Sequence, residues 1–296
     1  MKRLVSILLI VGIITTLALV GLVACKDTRT GYPDGDKYTA GPGTYSANNV
    51  SKLNVAWTGG TANVTFTDEV TDIQIAEENN FTDEAYLLHH YLDPQGTLWI
   101  KPLAASVGDD QIPTFSTKIL TVKLPIKALE EVYVENHGAD INLVGANAQK
   151  LSTYNTGNGT RITESRAVEL NATSQGLTGD VSFNGAVTGT VKIAAAMQAF
   201  LTTTTMPTEI TMSGKGIVSC NLPKEAPGFK VTYNKVTKFS SNIEGISDAV
   251  EVEDSYYRTY GTAATQIKLS CSTRTWILSD KTQNDTRINF IEPNVV

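Results

Sequence analysis

The sequence predicts an all-β protein whose main domain is a stack of short strands. Three observations predict it. From residue 47 onward, apolar residues alternate with polar ones, the period of a half-buried strand. Beyond residue 131 the apolar strand starts recur. Val132, Leu151, Val168, Val191, Ile210 and Val231 follow one another at a spacing of roughly 20 residues. The corners repeat too: His137-Gly138-Ala139-Asp140, Thr178-Gly179-Asp180, Thr188-Gly189-Thr190 and Ser213-Gly214-Lys215-Gly216. Self-similarity at such a period marks stacked rungs in a solenoid. One rung cannot bury its own inward residues, and stacking pairs the backbone groups of each rung with the next. Short strands every ~8–12 residues also describe a β-sandwich, which stands as the alternative.

The elements follow in order. Leu53, Val55 and Trp57 alternate in the first strand, Gly59-Gly60 turns the chain, and Val64 and Phe66 continue it. Ile73 and Ile75 make the next strand. The stretch Glu84–Leu92 reads as a helical turn or the beginning of a strand. Asp93-Pro94-Gln95-Gly96 is a turn signal before Leu98 and Ile100. Val107–Pro113 is a loop, and Ile119–Leu124 starts another strand. Second short strands lie between the repeat starts, at Ile141–Leu143, Ile162, Val181–Phe183, Leu201 and Val218–Cys220. The residues expected to point inwards are Val132, Val134, Ile141, Leu143, Val168, Leu170, Val181, Phe183, Val191, Ile193, Ile210, Met212, Val218 and Val231.

The N-terminus has a different character. Lys2 and Arg3 precede Leu4–Val23, an uncharged run interrupted only by Ser6, Thr15 and Thr16. At roughly 20 residues it is long enough to span a bilayer. Its end, Leu22-Val23-Ala24-Cys25, resembles a bacterial lipobox. That resemblance implies signal cleavage between Ala24 and Cys25 and a diacylglycerol on the Cys25 sulfur. An uncleaved signal anchor is the alternative, and both place the remaining chain outside the cytoplasm. Without residues 1–24 the chain has 22 Lys and Arg against 30 Asp and Glu, a net charge of −8. Lys26–Ser46 holds Gly31, Pro33, Gly35, Gly41, Pro42 and Gly43 and almost no aliphatic residue. It reads as a flexible tether in which Tyr32, Tyr38 and Tyr45 are a candidate binding patch or, the preferred reading, ordinary linker residues. The expected division is a lipoprotein signal peptide over 1–24, a tether over 25–46, the β domain over 47–280 and a tail over 281–296.

Composition narrows the function. With 41% hydrophobic and 18% charged residues the chain is globular. A net charge of −6 without a basic cluster argues against nucleic acid as a partner. Three histidines and three cysteines leave little for a zinc site, and no cofactor is expected.

The segments Leu53-Asn54-Val55-Ala56-Trp57-Thr58-Gly59-Gly60, Gly96-Thr97-Leu98-Trp99-Ile100-Lys101 and Leu120-Thr121-Val122-Lys123-Leu124-Pro125, with the Gly/Asp corners, resemble the bacterial putative-adhesin domain of unknown function. The resemblance spans about residues 47–280. It implies a right-handed, single-stranded β-helix or related solenoid, exported or membrane-tethered. It carries no catalytic residues.

Candidate sites are few. Adjacent His89 and His90, with Asp93, suggest a metal, but neighbours on a strand face opposite ways, so surface positions are the better reading. Glu135 and His137 share a face at i, i+2 and form a candidate metal-binding or acid–base pair. Without a third ligand nearby, a rim position is preferred. Asp68-Glu69 and Glu77-Glu78 are acidic pairs near strand ends, read as solvated turn charges rather than a glycosidase pair. Glu251, Glu253 and Asp254 beside Tyr256, Tyr257 and Tyr260 suggest either a sugar- or cation-binding patch or a tyrosine lid over one end of the stack. Cys220 and Cys271 remain once Cys25 is lipidated. A disulfide is open to them outside the cell, while two buried thiols packing as small hydrophobes is the preferred reading. The expected function is a membrane-anchored surface lipoprotein that binds a glycan or protein without turnover, or scaffolds the envelope. The alternatives are a polysaccharide-active β-helix enzyme and a transporter's solute-binding lipoprotein.

Overall fold

Alternation along the chain becomes strands wherever one face is covered. The computed structural model describes residues 32–107, 118–234, 238–271 and 285–291. It is all-β. In chain order the strands are β1 Thr39–Ala40, β2 Gly43–Ser46, β3 Lys52–Trp57, β4 Ala62–Thr67, β5 Asp72–Glu78, β6 His89–Leu92, β7 Thr97–Lys101 and β8 Ile119–Pro125. There follow β9 Leu129–Asn136, β10 Ile141–Val144, β11 Asn147–Asn155, β12 Thr160–Ser174, β13 Val181–Ala195, β14 Ala199–Thr203, β15 Glu209–Gly214 and β16 Ile217–Leu222. The last six are β17 Gly228–Asn234, β18 Lys238–Ser241, β19 Val250–Val252, β20 Ser255–Gly261, β21 Thr265–Cys271 and β22 Asp285–Phe290. The undecided stretch resolves into both of its readings, a 3₁₀ turn over Glu84–Tyr86 followed by β6.

Most strands join one of two ladders of parallel pairs. The first runs β7, β3, β9, β11, the second half of β12, the second half of β13, β15, β21 and β17. The second runs β8, β4, β10, the first half of β12, the first half of β13, β14, β16, β22 and β18. The repeat fixes the register. Val132 pairs with Leu151, Leu151 with Leu170, Leu170 with Val191 and Val191 with Ile210, and all five are buried. In the second ladder Leu143, Ile162, Phe183, Leu201 and Cys220 form the matching buried column.

All the residues expected inside are buried except Val168, which is 39% exposed. The strands bend here, and the alternation skips. Val168 and Glu169 both face out, whereas Ala167 and Leu170 both face in, beside an irregularity in the β12–β13 register. The same double step occurs at Glu130-Glu131 and Gln149-Lys150. Val168 is the outer residue of a bend that the rungs share.

Both ends of the stack depart from the expected boundaries. The tether ends earlier than residue 46. Thr39–Ala40 pairs antiparallel with β6 and Gly43–Ser46 with β5, so these strands close the N-terminal ends of the ladders. The linker tyrosines are packed. Tyr32 donates to the Leu103 carbonyl, the Tyr38 ring lies 5.4 Å from Tyr91, and Tyr45 meets His90. The tail is likewise part of the sheet, because β22 lies between β16 and β18 with Ile288 fully buried.

His89 and His90 are 7% and 4% exposed, not surface residues. β6 sits between β1 and β7, and both of its faces are covered. His89 Nδ1 lies 3.0 Å from the Leu87 carbonyl and His90 Nδ1 2.6 Å from the Tyr45 hydroxyl. Burial holds the His90 pKa below its usual 6.5. The folded state therefore resists a proton that the unfolded chain accepts. Stability is complete above pH 6.5 and declines as the pH falls through 6.5 towards the lower folded value. The urea midpoint is expected to drop between pH 7.5 and 5.5, and His90→Gln is expected to flatten part of that slope. An unchanged slope in the variant would remove His90 as the cause.

Glu77 is also buried. Its side chain is 4% exposed and lies 3.0 Å from Lys118 Nζ, itself fully buried. The reading as a solvated turn charge fails because Lys118 returns from a distant segment to cover it. Asp68 and Glu69 do lie in the turn after β4, and Glu69 meets Lys123 at 3.4 Å on the surface. Cys220 is buried between Leu201 and Ile288 in the second ladder, and burial raises its thiol pKa. Cys271 pairs in register with Gly214 in the first ladder and donates to the Gly216 carbonyl at 2.8 Å. No disulfide joins them.

Candidate functional site

The corner between β9 and β10 presents the most developed polar surface. It rests on a repeat within the repeat: Asn136-His137-Gly138, Asn155-Thr156-Gly157 and Ser174-Gln175-Gly176, each one rung after the last. The first residue of each triplet is buried and stacks on its equivalent. Asn136 Nδ2 donates to the Gly60 and Asp140 carbonyls, and its Oδ1 accepts from the Gly138 amide. Asn155 does the same with Ala139, Gly159 and Gly157. The third residue must be glycine because the corners stack backbone on backbone. A Cβ at Gly157 would sit 2.3 Å from the Ala139 oxygen, and one at Gly176 1.5 Å from the Gly157 oxygen.

The middle residues, His137, Thr156 and Gln175, are thereby lined up on the outer surface. His137 Nδ1 lies 2.9 Å from Thr156 Oγ1 and its Nε2 2.5 Å from Glu135 Oε1. The other Glu135 oxygen accepts from the Tyr133 hydroxyl at 2.9 Å. Burial first, and then this bond to Glu135, push the Tyr133 pKa up to about 12, so the phenol keeps its proton at neutral pH. Tyr154, one rung on, donates to Gln175 at 3.0 Å and presents its ring to His137 with centroids 6.0 Å apart. The sequence paired Glu135 with His137, and the structure joins them. It adds Tyr133, Tyr154, Thr156 and Gln175, for which the regular spacing of the Asn/Ser-x-Gly triplets was the available signal. Among the described residues no group of three or more His, Cys, Asp and Glu is placed to hold a metal. The Asp93 carboxylate is occupied by the Gln95 and Thr97 amides and the Trp99 indole.

Below this patch, the outer charges of the first ladder alternate along one column: Lys52, Glu131, Lys150, Glu169. Lys150 and Glu131 are 2.8 Å apart. Such exposed pairs add little stability, about 0–1 kcal/mol each. At the far end β19 and β20 fold back antiparallel over β17. Tyr260 packs on Phe229 and Phe290, Tyr256 on Tyr233, and Lys230 stands 4.1 Å above the Tyr257 ring. The acidic–aromatic segment over residues 251–260 thus forms the end wall of the first ladder. Ala24 and Cys25 lie outside the described residues. Among the described residues no helix is long and apolar enough to cross a membrane.

No family model matches the chain, and no curated protein matches it. Two solved structures are similar to it. One is a putative cell adhesion protein from Clostridium sporogenes, at 14% identity over 86% of this chain and 100% of that one, with a TM-score of 0.32. The other is a putative adhesin from Bacteroides fragilis, at 16% identity over 86% of this chain and 97% of that one, with a TM-score of 0.39.

Proposed function

We propose that this chain is a lipid-anchored bacterial surface protein whose exported part is a single-stranded, right-handed β-helix that binds a glycan or protein ligand without turning it over. The parallel ladders in steps of about one repeat support the β-helix. The observation that carries the binding role is the patch around His137. It exposes aromatic and hydrogen-bonding groups from neighbouring rungs, and their reactive atoms are already engaged. Both His137 nitrogens and both Glu135 oxygens have protein partners. That arrangement fixes these side chains in one geometry and so holds a rigid contact surface. The test is a glycan and host-matrix array probed with the full chain in a detergent without a sugar headgroup. Saturable binding that weakens at least tenfold in Tyr154→Ala is expected. Polysaccharide turnover abolished by Glu135→Gln would replace the binding role with an enzymatic one.

The anchor rests on Leu22-Val23-Ala24-Cys25. Two acyl chains on one glycerol hold stably, at about 0.8 kcal/mol per buried CH₂. Mass spectrometry of the mature N-terminus is expected to find Cys25 first and diacylated. Cys25→Ala is expected to leave the precursor uncut, with Leu4–Val23 still in the membrane. A different first residue, or an unmodified Cys25, would refute the lipobox.

A further inference from the structure

On the other side of the same corner, the second ladder carries a groove of about 580 Å³. Its floor is an outward column, one residue from each of four successive strands: Asn142, Arg161, Ser182 and Phe200, paired in register. Asp140 and Asp180 stand on the corner side. The groove is built to hold its shape. Asp140 Oδ1 accepts from the Gly159 amide and Asp180 Oδ1 from the Gln198 amide, both at 2.9 Å. Asn142 Nδ2 is fixed by Asn63 Oδ1 at 2.9 Å.

The floor itself is chemically open. The Arg161 and Ser182 side chains make no hydrogen bond to the described residues, and the Phe200 ring, half-buried, stacks on no other ring among them. A guanidinium, a hydroxyl, an amide and one ring face therefore stand in line at the strand spacing of about 4.8 Å. Charge decides the class of ligand. Two carboxylates beside one arginine disfavour a phosphate or a uronate, and the charges so nearly cancel that no strongly charged ligand of either sign is selected. What remains is a neutral polyol with a C–H face for Phe200 and hydroxyls that both donate and accept. An extended chain of sugar rings advances by about one rung per ring, so successive rings meet successive strands.

We propose that this groove binds an uncharged linear oligosaccharide along the stacking axis, with Phe200 packing on a ring face and Arg161 donating to ring hydroxyls. The site is separate from the patch around His137 and goes beyond a general binding role by naming a ligand class.

The test is calorimetric titration of the full chain, in a detergent without a sugar headgroup, with cello-, malto- and chito-oligosaccharides of two to six units. At least one series is expected to bind saturably, with affinity rising about tenfold or more from two units to four. Phe200→Ala is expected to cost at least tenfold and Arg161→Gln several-fold, with unchanged thermal midpoints. No saturable binding in any series, or binding that both variants leave intact, overturns the proposal. Array binding that persists in both variants but falls in Tyr154→Ala would keep the general binding role and remove the groove from it.

Discussion

Lys118→Ala is expected to destabilise the protein by about 3–5 kcal/mol, because it leaves the Glu77 carboxylate buried without its counter-charge. The pair is deeply enclosed. Lys118 Nζ also donates to the Tyr86 and Pro102 carbonyls, at 2.5 and 2.6 Å, and the Leu88 amide donates to Glu77. The ammonium lies 5.4 Å from the Trp57 ring centroid, and the Trp57 indole donates to the Lys118 carbonyl. One ion pair thus ties β5, the segment before β6, the segment after β7 and the start of β8 to the first rung. Removing both charges is different from removing one. Lys118→Met combined with Glu77→Leu is expected to recover much of the loss, since apolar replacements of a buried pair are often neutral. Urea denaturation of the two single variants and the double variant measures this. A Lys118→Ala protein within about 1 kcal/mol of the parent, the cost of an average point substitution, would show that the pair does not hold the N-terminal end together.

Asn155→Ala should cost about 1–3 kcal/mol, chiefly because one partly buried amide is left without a partner. That amide is Gly157's, while the Ala139 and Gly159 carbonyls lose the Asn155 donor but still accept from the Asn158 and Ile141 amides, all at stacked corners. Asn155 sits between Asn136 and Ser174, with no exposed surface. The loss should therefore be read twice, as a lower unfolding midpoint and as faster hydrogen exchange at Gly157. A change below about 0.5 kcal/mol, the range of an ordinary surface substitution, would mean that the corner backbone finds other partners.

The two ladders were legible in the sequence for a local reason. Inward residues alternate within each strand, and identical steps between strands put like beside like, as in Val132, Leu151 and Leu170. The patch was half legible. Glu135 and His137 are two positions apart and visible on one strand, whereas Tyr154 and Gln175 join them only through the rung step. What could not be read depends on pairings with no local signature. Glu77 looks like a surface acid until Lys118, three strands further along the chain, closes over it. His89 and His90 look exposed until β1 and β2 fold across β6. Val168 obeys the repeat in sequence and breaks it in space, because the bend consumes a residue.

The order of strands at the two ends has a mechanical consequence. The first rung, β3 and β4, is enclosed between β7–β8 and β9–β10, and the last rung, β21 and β22, between β15–β16 and β17–β18. Neither rung nearest a chain end is an outermost one. A pulling force entering from the N-terminal side would first detach β1 and β2, which are held antiparallel by two and four residue pairs. It would then meet β3, hydrogen-bonded along both edges. Tension along the axis of β3 shears its bonds to β7 and β9 together rather than opening them one at a time. A stack with its first rung outermost would peel. This one has to rupture.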